Sequence, residues 1–241
     1  MTIRLDIPSH LRRRGSLAAA GIAALAALAL AAGCGALPDK PSRAMLYDFG
    51  PGPSSAAPAP ADKRELPLLA LAEIDANARL DGTQILFRLA YADANELRPY
   101  AQSRWSQPPA QLLRERLRRE LAADRTVLSP EESGSIARAG ASRYPDTLRV
   151  TLEEFSQVFD APGRSVGLVR VTATLSRGGA DRQTLQRSFV ASRPAPTADA
   201  AGGVRALSAA SDALAAEIVA WVDAQATGTA GAPNPSARPG G

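Results

Sequence analysis

The chain's one cysteine, Cys34, stands at the end of an uncharged, Ala- and Leu-rich run that begins at Leu17 and follows Arg12-Arg13-Arg14. A basic start, a short apolar stretch and small residues before a cut site (here Ala31-Ala32-Gly33) describe an export signal that is removed. That feature takes residues 1–33 out of the fold. It leaves a mature chain that can form no intrachain disulfide and no thiolate metal cluster. The only histidine, His10, lies in the same segment. Stability must then come from an ordinary apolar core. With 45% hydrophobic and 22% charged residues in 241, the composition is that of a globular protein. It excludes a fully disordered chain, a collagen and a polytopic membrane protein.

The positive charge is equally local. The whole chain holds 28 Lys+Arg and 24 Asp+Glu, a net +4. Arg4, Arg12, Arg13 and Arg14 stand against Asp6 in residues 1–33, so the rest carries 24 basic and 23 acidic groups. A nucleic-acid binder needs a basic surface on its folded part. The remaining balance sets nucleic acid aside.

A cysteine directly after small residues resembles a lipobox. There the thiol receives diacylglycerol and cleavage leaves Cys34 first. The usual Leu three places before the cysteine is Ala31 here, with Leu30 one step earlier. The competing readings are a plain transmembrane anchor and a secreted protein with a chance cysteine. The uncharged run has about 16–18 residues, at the bottom of the spanning range, and alanine adds little hydrophobicity. Acyl chains on Cys34 would tether the protein without spanning. Gly35 rather than Asp after Cys34 resembles the sorting pattern for the outer membrane of Gram-negative cells.

Along the mature chain, residues 34–43 read as a tether and 44–49 as a short strand. Residues 50–67 carry five prolines, which lack a donor, and read as a loop. Residues 68–75 and 83–91 read as strands, the second with Ile85, Phe87 and Leu89 toward the core. Pro108-Pro109 open a helix to about Ala123, with Leu113, Leu117 and Leu121 as its apolar stripe and Leu112 beside it. Residues 126–128 are a short strand. Residues 129–145 are a loop with room for a helical turn at 131–139. Residues 147–155 alternate, Leu148, Val150 and Leu152 inward. A β-hairpin follows over 166–191, broken at Gly178-Gly179. The last helix covers 203–224, with Leu207, Leu214, Ile218, Trp221 and Val222 on one face. Residues 226–241 hold no large apolar residue and read as a disordered tail. The fold class is α/β: one domain over 44–225, a mixed sheet flanked by two main amphipathic helices.

Few residues here could carry catalysis. Gly163-Arg164-Ser165-Val166-Gly167 matches G-x-S-x-G, but the elbow needs a helix after the serine and a base. A strand follows, the only histidine is removed, and residues 160–165 read as a loop. Glu153 and Glu154 are adjacent, so in a strand they face opposite ways, one to solvent and one at an edge. No spacing suggests a metal site, and no Walker A pattern is present. Arg114, Arg116, Arg118 and Arg119 read as a solvated face, with Glu115–Arg119 as an i,i+4 pair. Lipid phosphate is the alternative partner for that face. The Leu207/Leu214/Ile218/Trp221 stripe reads as core rather than a partner surface.

The segment Tyr91 to Leu113 carries a further pattern: Tyr100, then Arg104-Trp105, then Pro108-Pro109 and a Leu-rich helix. Together with the lipobox, Tyr47-Asp48-Phe49-Gly50, Phe87-Arg88, the strand from Leu148 to Phe159 and the final helix, it resembles the ABC-type transport auxiliary lipoprotein family, the PqiC-like proteins. The resemblance covers roughly residues 44–224. From the residues, Trp105 packs the helix start onto the sheet and Arg104 bonds nearby carbonyls. A partner-facing surface at this cluster is the alternative. The resemblance implies a non-enzymatic outer-membrane lipoprotein facing the periplasm. Its implied partners are an Mce-domain protein and the permease and ATPase subunits of an ABC system moving lipids or other hydrophobic compounds. It implies no cofactor beyond acyl chains on Cys34, and it leaves a homo-oligomer open. A structural envelope lipoprotein and a lipid-anchored periplasmic hydrolase are the competing functions.

Overall fold

The computed structural model describes residues 43–51, 66–138, 144–178 and 183–229. The chain divides into units 1–43 and 44–241. The export signal, Cys34, most of the Pro-rich stretch and residues 230–241 lie outside the described residues.

One mixed sheet holds eight strands: β1 (Met45–Tyr47), β2 (Leu69–Ala76), β3 (Gln84–Leu89), β4 (Arg98–Trp105), β5 (Val127–Leu128), β6 (Asp146–Ala161), β7 (Arg164–Ser176) and β8 (Thr184–Pro194). Among the described residues three α-helices accompany it: α1 (Pro109–Leu121), α2 (Pro130–Arg138) and α3 (Ala200–Thr229). This is the expected α/β class with a single mixed sheet.

The sheet is organised by β6, which is 16 residues long. On one side β7 pairs antiparallel along nearly its whole length, and β8 pairs with β7. On the other side two strands share the edge in series. β2 runs parallel to the first half of β6, from Leu69↔Asp146 to Ala76↔Leu152. After a 3-10 turn at Ala78–Leu80, β3 runs parallel to the second half, from Phe87↔Gln157 to Leu89↔Phe159. β5 then pairs with β2, β4 with β3, and β1 with β4.

A bulge in β6 makes this possible. Leu152 pairs with Val171 but Phe155 pairs with Val169, so one extra residue is taken up at Glu153-Glu154. An extra residue shifts the alternation by one. The inward set therefore changes from Leu148, Val150 and Leu152 to Phe155, Gln157 and Phe159, all buried.

Helix α1 starts on Pro109, whose missing N–H has no partner to lose there, while Gln111 and Leu112 donate to the Pro108 carbonyl. Its Leu113, Leu117 and Leu121 are buried, as are Leu207, Leu214, Ile218 and Val222 of α3. The two helices pack on each other, α1 also on β2 and α3 on β6, β7 and β8. Helix α3 comes close to the sheet at Gly167 of β7. A Cβ there would lie 2.5 Å from the Leu207 nitrogen and 2.6 Å from the Ala206 carbonyl carbon. Only glycine lets the helix backbone sit this near the strand. Asp199 caps α3, its Oδ1 accepting from the Gly202 N–H at 2.7 Å.

Several expectations change. Residues 98–105, read as a connection, form β4; Pro99 and scattered polar residues hide it, and pairing to β3 and β1 makes it a strand. The turn expected at 131–139 is a helix, with Ser129 and Glu132 capping each other. β6 and β7 extend through the expected loop at 160–165, leaving Pro162-Gly163 as the corner, with Gly163 at φ 80°. Proline followed by a left-handed glycine suits a type II turn. Helix α3 runs from Ala200 to Thr229, beyond the expected 203–224 and into the first residues of the expected tail at 226–241. Of the β3 residues expected toward the core only Ile85 is buried, Phe87 and Leu89 being half-buried, while Leu86 on the other face is buried too.

Candidate functional site

Four of the five residues singled out from sequence gather where β4 meets α1. Trp105 ends β4 and is 1% exposed. Its ring meets Phe49 edge-on, centroids 5.7 Å apart, and Phe155 at 5.6 Å. Its Nε1 is buried without a hydrogen-bond partner among the described residues. Arg104 turns back on its own strand, its Nη1 donating to the carbonyls of Tyr100 at 2.5 Å and Ser103 at 2.9 Å. Pro108 is the residue before α1 and Pro109 its first residue, buried. Tyr100 lies farther back on β4, its ring against Phe87 at 4.6 Å. Arg104, Trp105, Pro108 and Pro109 thus serve one strand–helix junction, with Trp105 as its buried centre, while the Tyr100 side chain packs apart from it on Phe87.

What this junction holds is the N-terminal strand. β1 pairs parallel to β4 at Ser103, Arg104 and Trp105, and the Ser106 N–H donates to the Tyr47 carbonyl at 2.7 Å. After β1 the chain turns: the Gly50 N–H donates to Asp48 Oδ1 at 2.7 Å, with Gly50 at φ 69°. Asp-x-Gly suits this turn because the carboxylate stands in for a backbone acceptor. The Phe49 carbonyl then accepts from Arg116 Nη2 at 2.9 Å and from Ser208 Oγ at 3.3 Å. Arg119 Nη1 reaches the Pro51 carbonyl at 3.3 Å. One backbone turn is thereby tied to both α1 and α3.

Arg116 was expected on a solvated face and is instead 3% exposed. Its guanidinium lies 5.9 Å from the Phe49 ring and forms an ion pair with Asp212 of α3. Burial of that charge is compensated from three directions. The sequence signal was weak: one arginine among four on a helix, with no cue that a carbonyl from β1 would arrive over it. Glu115 and Arg119 take other partners, Glu115 accepting from Gln107 Nε2 at 3.0 Å.

A polar relay crosses the sheet nearby. Tyr100 Oη donates to Gln157 Oε1 at 2.8 Å, and Gln157 Nε2 donates to Ser165 Oγ at 2.7 Å. Gln157 and Ser165 are buried. Burial, with a smaller contribution from Asp199, pushes the Tyr100 phenol up to about 12. Asp199 itself is held below the usual carboxylate range, chiefly by the Gly202 N–H and then by the Thr197 hydroxyl.

Ser165 therefore sits in a strand, not a loop, and its hydroxyl is engaged by an amide rather than by a base. Each part of its G-x-S-x-G segment has a packing role: Gly163 turns the corner, Ser165 closes the relay, Gly167 admits α3. Glu154, expected at an edge or in solvent, is buried and paired with Arg88 at 3.1 Å and Arg79 at 3.8 Å. Glu153 accepts from Thr172 Oγ1 at 2.6 Å. The bulge puts the two carboxylates into separate pairings, so they form no acid–base couple. Among the described residues no group of three or more His, Cys, Asp or Glu is placed to hold a metal ion. No described helix is long and apolar enough to cross a membrane.

The model of the family described as ABC-type transport auxiliary lipoprotein component matches residues 47–219. No curated protein matches the chain. Protein XCC0632 from Xanthomonas campestris, of family DUF330, is a solved structure similar to this one. Its TM-score is 0.59 at 20% identity, covering 73% of this chain and 94% of that one. A solved protein described only as uncharacterized has a TM-score of 0.54 at 17% identity, covering 75% and 99%. Hypothetical protein CT253 from Chlamydia trachomatis reaches 0.45 at 11% identity, covering 66% and 96%. The first two likenesses establish the fold.

Proposed function

The chain belongs to the ABC-type transport auxiliary lipoprotein components, and from that premise we propose its role. It is a non-enzymatic, lipid-anchored subunit of an ABC/Mce-type system moving lipids or other hydrophobic compounds between the two membranes of a Gram-negative envelope. The observation that supports this reading is the extent of the family match. Residues 47–219 run from the Tyr47–Gly50 turn into the last helix, nearly the whole folded domain.

In this role Cys34 carries the acyl chains and holds the domain on the periplasmic face of the outer membrane. The domain docks the Mce component, and a separate cytoplasmic subunit hydrolyses ATP. The chain's own contribution is mechanical. The Trp105 junction and the Arg116 clasp join the tether-proximal strand to both helices, so a force on the anchor reaches the whole domain. An absence of catalysis fits Ser165, whose hydroxyl accepts a buried amide instead of facing a base.

Metabolic labelling with a radioactive fatty acid tests the anchor: wild type incorporates label and Cys34→Ala does not. A deletion strain tests the role. Disturbed lipid balance of the envelope, restored by wild type and by Ser165→Ala, fits transport without catalysis. Restoration by wild type but not by a folded Ser165→Ala variant points to the hydrolase.

A further inference from the structure

The tether-proximal strand leaves two apolar side chains in solvent. Met45 is 55% exposed and Leu46 is 70% exposed. They are consecutive on β1, so they project to opposite sides of the sheet edge. Among the described residues β1 is the outermost strand and pairs only with β4, so no described strand covers its other backbone edge. The other large exposed apolar residues, Leu68, Tyr91, Tyr144 and Val190, are spread over other parts of the fold.

We propose that Met45 and Leu46 form a membrane-contact edge that rests in the headgroup–acyl boundary of the bilayer carrying the anchor. The proposal rests on the acylation of Cys34. From Cys34 to Met45 is eleven residues, which span at most about 40 Å when fully extended. β1 is thus confined close to the bilayer, and insertion becomes an intramolecular step at high effective concentration. Two apolar side chains, too few to bind a free protein to lipid, are then sufficient. An open strand edge at that depth still finds water and headgroup donors, unlike one in the hydrocarbon core. Because Phe49, four residues on, is clasped by Arg116 and Ser208, contact at β1 fixes the orientation of the whole domain.

The test uses the lipidated mature protein in vesicles of phosphatidylethanolamine and phosphatidylglycerol. Acylation occupies the thiol of Cys34, so Leu46→Cys and, separately, Val190→Cys on β8 each supply one labelling site. Each carries an environment-sensitive fluorophore. The expected result is a blue-shifted Leu46→Cys label, quenched several-fold by lipids bearing nitroxide on the acyl chain. The Val190→Cys label stays water-like and unquenched. A Leu46→Cys label that is water-like on vesicle-bound protein overturns the proposal. So does one shielded without lipid quenching, which indicates a second copy or another chain on the edge. Flotation with the vesicles is measured in the same samples. Failure to float overturns the anchor reading itself and is distinguished in that way from failure of the contact edge.

Discussion

Phe49 and Trp105 meet edge to face with ring planes at 90°. This contact joins the turn after the first strand to the end of the fourth. Both rings also touch Phe155, just past the β6 bulge, at 6.0 and 5.6 Å. The aromatic trio is therefore the point where the N-terminal strand, the strand–helix junction and the central strand share one core.

Trp105→Ala removes the centre of that trio. The expected loss of stability is ~3–5 kcal/mol, the usual range for a buried aromatic truncated to alanine. Trp105→Phe should cost far less, ~1 kcal/mol, because the indole N–H has no partner to lose. Urea unfolding followed by circular dichroism separates the two. Equal effects would show that the ring's volume is not what the junction needs.

Arg116→Ala strands the Phe49 carbonyl and opens the clasp. Asp212 Oδ1 forms only an ion pair with Arg116, without an aligned hydrogen-bond donor among the described residues. The Asp212 side chain is 45% exposed and can be rehydrated. The expected loss is about 2 kcal/mol, mostly from the unsatisfied carbonyl and lost packing. Asp212→Asn should cost less than half as much. Limited proteolysis should cut faster near residues 50–66 in Arg116→Ala than in wild type.

Gly167→Ala places a methyl group within 3 Å of the backbone of α3. A backbone contact cannot rotate away, so the helix must lift from β7. The expected cost is ~1–3 kcal/mol, typical of overpacking. Gly163→Ala acts differently: nothing lies within 4 Å, and the penalty of ~1 kcal/mol comes from its positive φ. Thermal unfolding of the two variants measures the difference.

Tyr100 gives a pH signature. Its folded-state pKa is raised to about 12, against about 10 in an unfolded chain. The stability it contributes is intact below pH 10 and is lost as pH rises from 10 through 12, because the unfolded phenol ionises first. The described residues hold no lysine, so no described lysine adds to this slope. Tyr100→Phe should flatten this slope and cost ~1 kcal/mol at neutral pH through the lost bond to Gln157. A slope unchanged in the variant would assign it elsewhere.

Much of the fold was legible because the periodic signals were strong. The leucine stripe of α1, the alternation of Leu148, Val150 and Leu152, and the long apolar face of α3 each state their element. β4 was illegible because its side chains are mostly polar and half exposed, and its strand state comes from neighbours distant in sequence. The bulge at Glu153-Glu154 was equally hidden. Alternation predicts facing only while the count is unbroken, and Gln157 is buried because it breaks. At the site, Tyr100, Arg104, Trp105, Pro108 and Pro109 could be named from their pattern. Arg116, Ser208 and Asp212 could not, since their role is set by one carbonyl of Phe49 brought across the fold.

The central claim is a place in a transport assembly, and crosslinking in native membranes followed by affinity capture tests it most directly. Wild type should recover an Mce-domain protein together with ABC permease and ATPase subunits, and Cys34→Ala should recover them weakly or not at all. Recovery of neither, by intact and membrane-bound wild type, would contradict the claim and leave a structural envelope lipoprotein.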